Sequence, residues 1–398
     1  MEIKNPGIIV LTILIAIVTG IVLFGIHDLT VTGNQSLAGE IITGNGSEFP
    51  DIMTTPAVVP VTTQKGGGLL SGPDKVEPDA SSRTITDNAG RKVTIPAHPA
   101  KVLGSATFVY LVAPEKLGGW ESDLTSDSRK FFSALPENLT ITGSSSSNYE
   151  AYIALHPDLV FISCGDGNAI RYDSVNLTQE KYGSIPVVCL NNTQNVTNSV
   201  SSFRFMGDVL GVPVRADELI RYYERVSGEI RVKVSAIPEE KRVRVYYAEG
   251  ANGLATDASG SIHSQLIDLC GGKNVAGFGG LQSGSGMTAV TMESVLMWNP
   301  DAIITTSKEF ATNAYNDSSW QRIPAVRNHR VYVTPGKPSN WFDRSPNINR
   351  IAGLSWTAHV LYPDLFSEDW LKKNVKEYFS LYYRYDMSDE EITAVLYP

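Results

Sequence analysis

The chain has 398 residues, of which 42% are hydrophobic. A chain of this size can bury sizeable cores and should hold roughly two domains of about 150 residues each. Its formal net charge is −9 at pH 7. An acidic balance without a dense run of Lys and Arg argues against a general nucleic-acid-binding protein.

An almost uninterrupted apolar stretch occupies residues 7–26, preceded by Lys4 and followed by His27 and Asp28. About 20 apolar residues are enough to cross the core of a bilayer as a helix. A cleaved secretory signal has a shorter apolar region, of about 7–15 residues. We therefore predict an uncleaved transmembrane anchor over residues 1–27, with the rest of the chain on the extracytoplasmic face of the cell membrane. The alternative is a cleaved signal and a secreted protein.

Residues 28–82 are rich in Gly, Thr, Pro and Ser and contain few apolar runs. This composition is typical of a flexible or extended stalk. Asn-x-Ser/Thr sequons agree weakly with an exported protein, although they do not show that sugar is attached. They begin at Asn34, Asn45, Asn138, Asn176, Asn191, Asn195 and Asn316.

The folded region opens with two alternating segments around an Asn-Ala-Gly turn, which predicts a hairpin over residues 83–96. Strands follow at residues 101–103, 117–120 and 186–190, with a helix at 107–112 between the first two. The second half predicts strands at 243–248 and 330–333, and helices at 262–269, 347–361 and 367–382. A last helix start is indicated by the Ser-x-x-Glu spacing of Ser388 and Glu391.

A repeat divides this region. Residues 150–162 and 293–304 both begin with a glutamate and a short amphipathic segment, continue with Pro-Asp, and end in an apolar run. Proline cannot continue a helix, and a short apolar run suits a strand that is buried on both faces. Each copy therefore predicts helix, turn and buried strand. Two copies so far apart in the chain indicate two duplicated lobes rather than a solenoid.

Between the copies, residues 216–235 carry apolar side chains at three-to-four spacing, which predicts a helix about 30 Å long. We expect an α/β fold of two Rossmann-like lobes joined by this one long connecting helix, with an N-terminal transmembrane anchor. The expected divisions are the anchor at 1–27, the stalk at 28–82, the N-terminal lobe at 83–215, the connecting helix at 216–236, and the C-terminal lobe with terminal helices at 237–398.

The chain has three cysteines, Cys164, Cys189 and Cys270. Cys164 and Cys189 end two predicted strands, so a disulfide is geometrically feasible if those strands are neighbours. The alternative is that all three are small buried apolar groups. The sequence leaves both open.

Several motifs together resemble the substrate-binding proteins of ABC importers for iron chelates, haem and vitamin B12, a periplasmic-binding-protein-like class that includes molybdate and tungstate branches. The resemblance lies in the opening at 83–96, the two repeat units, and the segments at 260–275 and 341–344. It spans residues 83–361. It implies two α/β lobes joined by one helix, no catalytic function and no resident cofactor.

For the repeat glutamates, Glu150 and Glu293, the resemblance implies docking to arginines of the membrane permease. There is an alternative from the residues themselves. Ser147 and Glu150 have capping-box spacing, and Glu293 follows Thr291 in a first helical turn, so both carboxylates could serve helix N-termini instead.

The ligand is expected beyond the carboxyl ends of the strands of both lobes. Aromatic side chains there would stack on a planar or hydrophobic chelate or, alternatively, pack between the lobes, and Arg344 would pair with an anionic ligand or with a nearby aspartate. The predicted ligand-binding residues are Ser105, Thr107, Trp120, Asn148, Tyr149, Tyr247, Trp341 and Arg344. Further candidates are Glu121, Glu249 and Phe342, and residues 144–147 and 165–168.

No metal site is predicted. His263 and Cys270 are the only soft ligands close together in the sequence, and two ligands do not close a site. Cys270 fits a helix interior better. The glycine-rich segments lack the spacing of nucleotide-binding loops, and no hydrolase or metalloprotease motif occurs. The sequence thus predicts a receptor that captures an iron(III) siderophore, haem or corrinoid and delivers it to an ABC permease and ATPase. The alternative ligand is an oxyanion such as molybdate or tungstate, held by helix N-termini.

Overall fold

Two antiparallel strands open the folded region, as the sequence predicts. The computed structural model describes residues 81–135, 139–143, 148–165, 172–191, 194–277, 287–343 and 347–398, all of which fall in one compact unit that begins at Asp74. The strands β1 (Ser82–Thr86) and β2 (Lys92–Pro96) pair from Ser82 opposite Pro96 to Thr86 opposite Lys92. Asp87 holds the turn, because its carboxylate accepts the backbone N–H of Ala89 and of Arg91.

The other strands are short and mostly parallel. In chain order they are β3 (Val102–Leu103), β4 (Leu159–Ser163), β5 (Val187–Leu190), β6 (Arg244–Ala248), β7 (Ala255–Thr256), β8 (Lys273–Asn274), β9 (Thr288–Ala289), β10 (Ala302–Thr305) and β11 (Val331–Val333). The first sheet has the order β3-β4-β5 and the second sheet β8-β6-β10-β11, and all pairs within both are parallel. β7 and β9 form a separate antiparallel pair.

The two sheets have the same strand order. Leu117 forms an isolated parallel bridge with Val102, on the side of β3 away from β4. The order Leu117, β3, β4, β5 therefore corresponds to β8, β6, β10, β11. The predicted strand at 117–120 was wrong in one respect, since the structure forms only isolated bridges at Leu117 and Trp120.

Helices surround both sheets. They are α1 (Ala106–Val112), α2 (Ser126–Arg129), α3 (Tyr149–Ala154), α4 (Tyr172–Tyr182), α5 (Ser199–Leu210), α6 (Pro213–Ser235), α7 (Gln265–Leu269), α8 (Met292–Trp298), α9 (Lys308–Ala314), α10 (Pro324–Arg327), α11 (Arg350–Leu361), α12 (Glu368–Tyr378) and α13 (Asp389–Leu396). A π-helical turn, Phe379–Tyr383, follows α12. The capping box predicted at Ser388 and Glu391 is confirmed at the start of α13.

The long helix between the sheets is α6, with 23 residues. It begins at Pro213, three positions before the predicted start at Ala216. Proline is favoured in the first turn because its missing N–H would have no helical partner there and its φ is already helical. Leu219, Val226 and Ile230 are buried, as the apolar spacing predicts.

Both copies of the repeat fold as helix, turn and buried strand, α3 with β4 and α8 with β10. The agreement extends to the backbone. His156 and Asn299 precede the two prolines, and each has φ of 49°. One prediction needs correction, because α3 takes Asn148 rather than Ser147 as its N-cap, and so Glu150 is not placed at the third helical position of a capping box.

One hydrophobic core runs through both sheets and includes Val102 and Leu159 of the first and Val245 and Ile304 of the second. Separate clusters cover the other faces, around Val160 in the first sheet and Ile303 in the second. The strands are therefore buried on both faces, which explains their continuous apolar runs. The mixed α/β architecture with parallel sheets is confirmed.

Cys164 and Cys189 form a disulfide that joins the end of β4 to β5, with their Cα atoms 5.8 Å apart. Cys270 is a buried free thiol at the end of α7, and burial raises its pKa. Cys164 and Cys189 are therefore bridged, which was one of the two alternatives, whereas Cys270 is a small buried group, which was the other.

The predicted anchor and almost the whole of the predicted stalk lie outside the described residues. Within the part of the chain that the structure describes, no helix is long and apolar enough to cross a membrane.

Candidate functional site

The loops that follow the strands of both sheets come together. Arg350 donates to the carbonyl of Gln194, beyond β5 in the first sheet, and to the carbonyl of Ile262, beyond β6 in the second. Nearby, the side chain of Gln265 donates to that of Asn195 at 2.8 Å. Crevices at the carboxyl ends of parallel strands are the usual ligand sites of α/β folds. We call this place the carboxyl-end region; of the described residues it comprises 104–107, 120–121, 139–143, 148–149, 191 and 194–195 on the side of the first sheet, and 249, 257–264 and 334–343 on the side of the second.

A tight turn leads from β3 into α1. Gly104 has φ of 75°, and a Cβ at this position would lie 2.0 Å from the carbonyl oxygen of Phe161, so only glycine fits. Ser105 follows with φ of 48°. Ser105 and Thr107 are partly exposed. Two of the predicted ligand-binding hydroxyl side chains therefore lie at the carboxyl end of β3.

Glu121 lies beside this turn. Its carboxylate accepts the backbone N–H of Ala106 at 3.3 Å. Burial raises the pKa of Glu121, while hydrogen bonds from the backbone of Ala106 and Ser105 act in the opposite direction. A partly buried carboxylate is thus a fixed feature of this edge of the first sheet.

Asn148 and Tyr149 extend the same edge. The Asn148 amide donates to the carbonyl of Thr142 at 2.8 Å, and Tyr152 donates to the carbonyl of Gly143 at 3.1 Å. These bonds hold the start of α3 against the loop that follows Trp120. Asn148 is exposed and Tyr149 is half-buried, with the Lys181 amine 5.6 Å from its ring centre.

In the second sheet, the buried carboxylate of Asp343 organises the region. It accepts the Tyr247 hydroxyl at 3.0 Å and lies 2.7 Å from Nδ1 of His263. The Asp343 side chain is fully buried, whereas the His263 side chain is 17% exposed. Tyr247 belongs to β6, and the loop that follows β11 supplies Asp343, so the pair marks the carboxyl end of the second sheet.

Arg350, the first residue of α11, is fully buried behind this pair. Burial lowers its pKa to about 10, and the nearby Asp343 acts in the opposite direction, so the guanidinium stays charged at neutral pH. Its Nε has no hydrogen-bond partner among the described residues. A buried cation beside a buried carboxylate offsets part of the cost of burying either charge alone.

Asp257 joins His263 and Asp343 to form a group that a metal ion could use, with one ligand atom of each within 4.8 Å of the others. Asp257 also accepts the Ser261 hydroxyl at 3.2 Å. Arg350 supplies positive charge beside Asp343 and so offsets one of the two carboxylate charges of this group. Cys270, which the sequence places in a helix interior, lies apart from this group, with its Sγ 3.3 Å from the carbonyl oxygen of Leu354.

Three of the aromatic residues predicted to bind the ligand lie in the core instead. Trp120 is 5% exposed and packs edge-on against Tyr110 and Phe132, while Tyr247 and Trp341 are fully buried. The indole N–H of Trp341 donates to the carbonyl of Lys337. Protein covers their ring faces, so the alternative of packing describes them better than stacking on a ligand. Arg344 and the candidates at 144–147 and 166–168 lie outside the described residues.

The repeat glutamates are both exposed, in the first turns of α3 and α8. The Pro-Asp turns at the ends of these helices lie beside the starts of β3 and β6, so the helices run antiparallel to the strands. Their N-termini therefore point toward the carboxyl-end region. Glu150 and Glu293 thus occupy equivalent positions on the same side of the molecule as that region.

The sequence did not predict the roles of Asp343 and Arg350. For Arg350 a signal was present, because it is the only Lys or Arg of α11 and begins a helix that is mostly apolar. Such a residue is either paired in the interior or functional. For Asp343, the prediction assigned the ligand role to its neighbour Arg344 because arginine binds anions, and nothing local shows that Tyr247 and His263 converge on Asp343.

The comparisons agree with this architecture. Residues 119–338 match the family model described as periplasmic binding protein. The chain is 28% identical over 336 residues to the molybdate-binding protein MolA of Haemophilus influenzae, across 76% of this chain and 92% of that protein. It is 27% identical over 157 residues to a vitamin B12-binding protein of Pectobacterium carotovorum, across 39% of this chain and 53% of that protein.

Among solved structures, an ABC transporter solute binding protein from Sulfurospirillum deleyianum matches with a TM-score of 0.69 and 29% sequence identity. The match covers 79% of this chain and 98% of that one. Proteins of this kind work outside the cytoplasm with a permease and an ATPase, and they are not enzymes. The family match spans more than half of the sequence, and so this chain belongs to the periplasmic binding protein family and is a substrate-binding protein of an ABC transporter.

Proposed function

We propose that the carboxyl-end region binds a compact oxyanion of the molybdate and tungstate class for delivery to the importer. The observation that carries this proposal is the burial of Trp120, Tyr247 and Trp341, which removes the aromatic faces that favoured a planar chelate. The side chains that remain at least partly exposed there, Ser105, Thr107 and Asn148, are small hydrogen-bond donors of the kind an oxyanion uses. The relative that binds molybdate, MolA, supports the same ligand class.

A metal chelate, an iron(III) siderophore, haem or corrinoid, is the second candidate. It is favoured by Tyr149, whose half-buried ring lies at the edge of the carboxyl-end region. The partial similarity to a vitamin B12-binding protein points the same way. A chelate would use the Tyr149 ring as a stacking face and would need the opening between the sheets to be wider than an oxyanion requires.

A thermal-shift panel on the full chain in detergent separates the two ligand classes. The panel contains molybdate, tungstate, sulfate, a ferric siderophore, haem and cobalamin. A ligand present at 100 times its Kd stabilises the folded state by about 2.7 kcal/mol. We expect molybdate and tungstate to raise Tm and sulfate to leave it unchanged. A shift with a chelate and none with either oxyanion would establish the second candidate.

We also propose that Glu150 and Glu293 dock the protein to its permease, each by pairing with an arginine. The alternative role at the helix N-terminus is weak for Glu150, because its carboxylate makes no hydrogen bond or ion pair with any described residue. For Glu293, the role at the helix N-terminus has more support. Hydrogen bonds from its own backbone N–H and from Thr291 lower its pKa, so this carboxylate also serves the start of α8.

The remaining features fit delivery to a membrane partner. We propose that residues 83–215 and 237–398 act as two lobes and that the connecting helix at 216–236 limits their relative closure. A single rigid helix and one shared core both oppose a large hinge motion.

The apolar stretch at 7–26 would anchor the protein in the membrane, and residues 28–82 would let the folded region reach its partner. Detergent-dependent extraction of the full chain from membranes tests the anchor, and release by an alkaline wash would exclude it.

A further inference from the structure

Helix α8 exposes a large apolar side chain beside Glu293. Met297 is 76% exposed, more than any other large hydrophobic residue in the part of the chain that the structure describes. Single exposed apolar residues are common on protein surfaces and need no explanation by themselves. The position of Met297 is what gives it significance.

Met297 and Glu293 lie four residues apart on one helix, so they share a face, with Cβ atoms about 5–6 Å apart. The opposite face of α8 is anchored, since Val295 is fully buried and Leu296 packs against the core cluster around Ile303. The core therefore does not use Met297. The helix presents one carboxylate and one long, flexible apolar side chain to solvent, one turn apart.

The equivalent position in the first copy of the repeat carries a different residue. Four residues after Glu150 lies Ala154, which is exposed and ends α3. The two docking helices therefore present the same charge but different apolar contacts. A partner that recognises both glutamates meets an additional side chain only on the α8 side.

We propose that Met297 is an apolar anchor of the permease-docking surface and fits an apolar depression beside the basic group that pairs with Glu293. This inference rests on the proposed docking role of Glu293. We assign the permease as the binding partner because Met297 lies one helical turn from Glu293, on the same proposed docking surface. Methionine is enriched at protein interfaces, and its flexible thioether adapts to irregular partner surfaces. The contact would also distinguish the α8 side of the receptor from the α3 side.

The test measures binding of the full chain to its permease and ATPase complex in nanodiscs, with Met297→Ala, Met297→Asp and Met297→Leu. We expect about tenfold weaker binding for alanine, as is typical of an interface anchor, and a larger loss for aspartate. Leucine should restore most of the affinity. Val232→Asp is the matched control, because Val232 is 68% exposed on α6, far in sequence from both docking helices. It should bind like the wild type.

Glu293→Ala, measured in the same assay, separates the two proposals. If Glu293→Ala abolishes binding while Met297→Asp binds normally, the anchor is refuted and the docking proposal stands. If neither substitution weakens binding, the docking proposal itself fails. Tm of each variant controls for folding. A change in self-association with normal permease binding would show that the exposed side chain meets a second copy of this chain, and would also refute the anchor.

Discussion

Asp158 and Asp301 make the same reciprocal contact in the two copies of the repeat. Each donates its backbone N–H at 2.8 Å to the carbonyl of a residue at the start of the neighbouring strand in the sheet, Lys101 or Arg244. Each carboxylate accepts the N–H of that same residue in return, at 2.9 and 3.0 Å. The Pro-Asp pair in the sequence is therefore a clamp between each helix–strand unit and the neighbouring strand.

Substituting Asp301 by Ala should lower the stability of the fold by about 1 kcal/mol, since the carboxylate also holds the half-exposed Arg244 side chain. Asp158→Ala is the matched comparison, because its carboxylate accepts the two backbone N–H groups of Ala100 and Lys101. Denaturant unfolding of the two variants should give similar losses. A loss in only one copy would contradict the equivalence of the two clamps.

The Asp301 contribution has a predictable pH dependence. Burial would raise the pKa of Asp301, but hydrogen bonds from Arg244 outweigh it and hold the pKa below its ordinary value of 3.8. Because the folded state lowers this pKa, the stabilisation is complete above about pH 4 and is lost as the pH falls through the folded-state value. The stability difference between wild type and Asp301→Ala should therefore be constant near neutral pH and shrink in acid.

Removing the disulfide should destabilise the protein more strongly. Cys164 and Cys189 are separated by 25 positions, and closing a loop of that length in the unfolded chain corresponds to about 3.5 kcal/mol in the chain-entropy model. Cys164→Ser with Cys189→Ser should lower Tm by several degrees. A reducing agent should lower Tm of the wild type and leave the double variant unchanged. Equal sensitivity of both proteins to the reductant would contradict the assignment.

Glu121 should make stability depend on pH in the opposite direction from Asp301. Burial raises its pKa, so the folded state binds this proton more tightly than the unfolded state. The resulting stabilisation is present when the pH is below the ordinary pKa of 4.5, and it is lost as the pH rises through the raised pKa of the folded state. Glu121→Gln should therefore have a higher Tm than the wild type near pH 7 and nearly the same Tm near pH 4.

The same substitution tests the ligand class. An oxyanion bound near Ser105 would be repelled by the Glu121 carboxylate, so Glu121→Gln should bind molybdate up to about tenfold more tightly near neutral pH. Thr107→Val provides a contrast, because it removes a hydroxyl donor and should weaken binding. Calorimetric titration measures both. Unchanged molybdate binding by Glu121→Gln would place the oxyanion away from this carboxylate, and weaker binding would contradict the proposed repulsion.

The repeat was predictable because its signals are local. Two Pro-Asp pairs, each followed by an apolar run, specify helix ends and buried strands within 13 residues or fewer. The ligand-binding residues were harder to predict for a physical reason. Whether an aromatic side chain such as Trp341 or Tyr247 faces a ligand or the core depends on packing between segments far apart in the chain, which periodicity does not record. The contact between His263 and Asp343 joins residues 80 positions apart and has the same origin.

The most direct measurement of the docking account is molybdate uptake by cells or proteoliposomes that contain the importer and the variant Glu150→Ala with Glu293→Ala. Both carboxylates are exposed and lie outside the core, so the variant should fold and bind ligand like the wild type. Val232→Asp with Val214→Asp is a control at two exposed positions of α6, outside both docking helices. The account predicts that uptake is abolished in the glutamate variant while the molybdate-induced rise in Tm is retained. Normal uptake in that variant would contradict it.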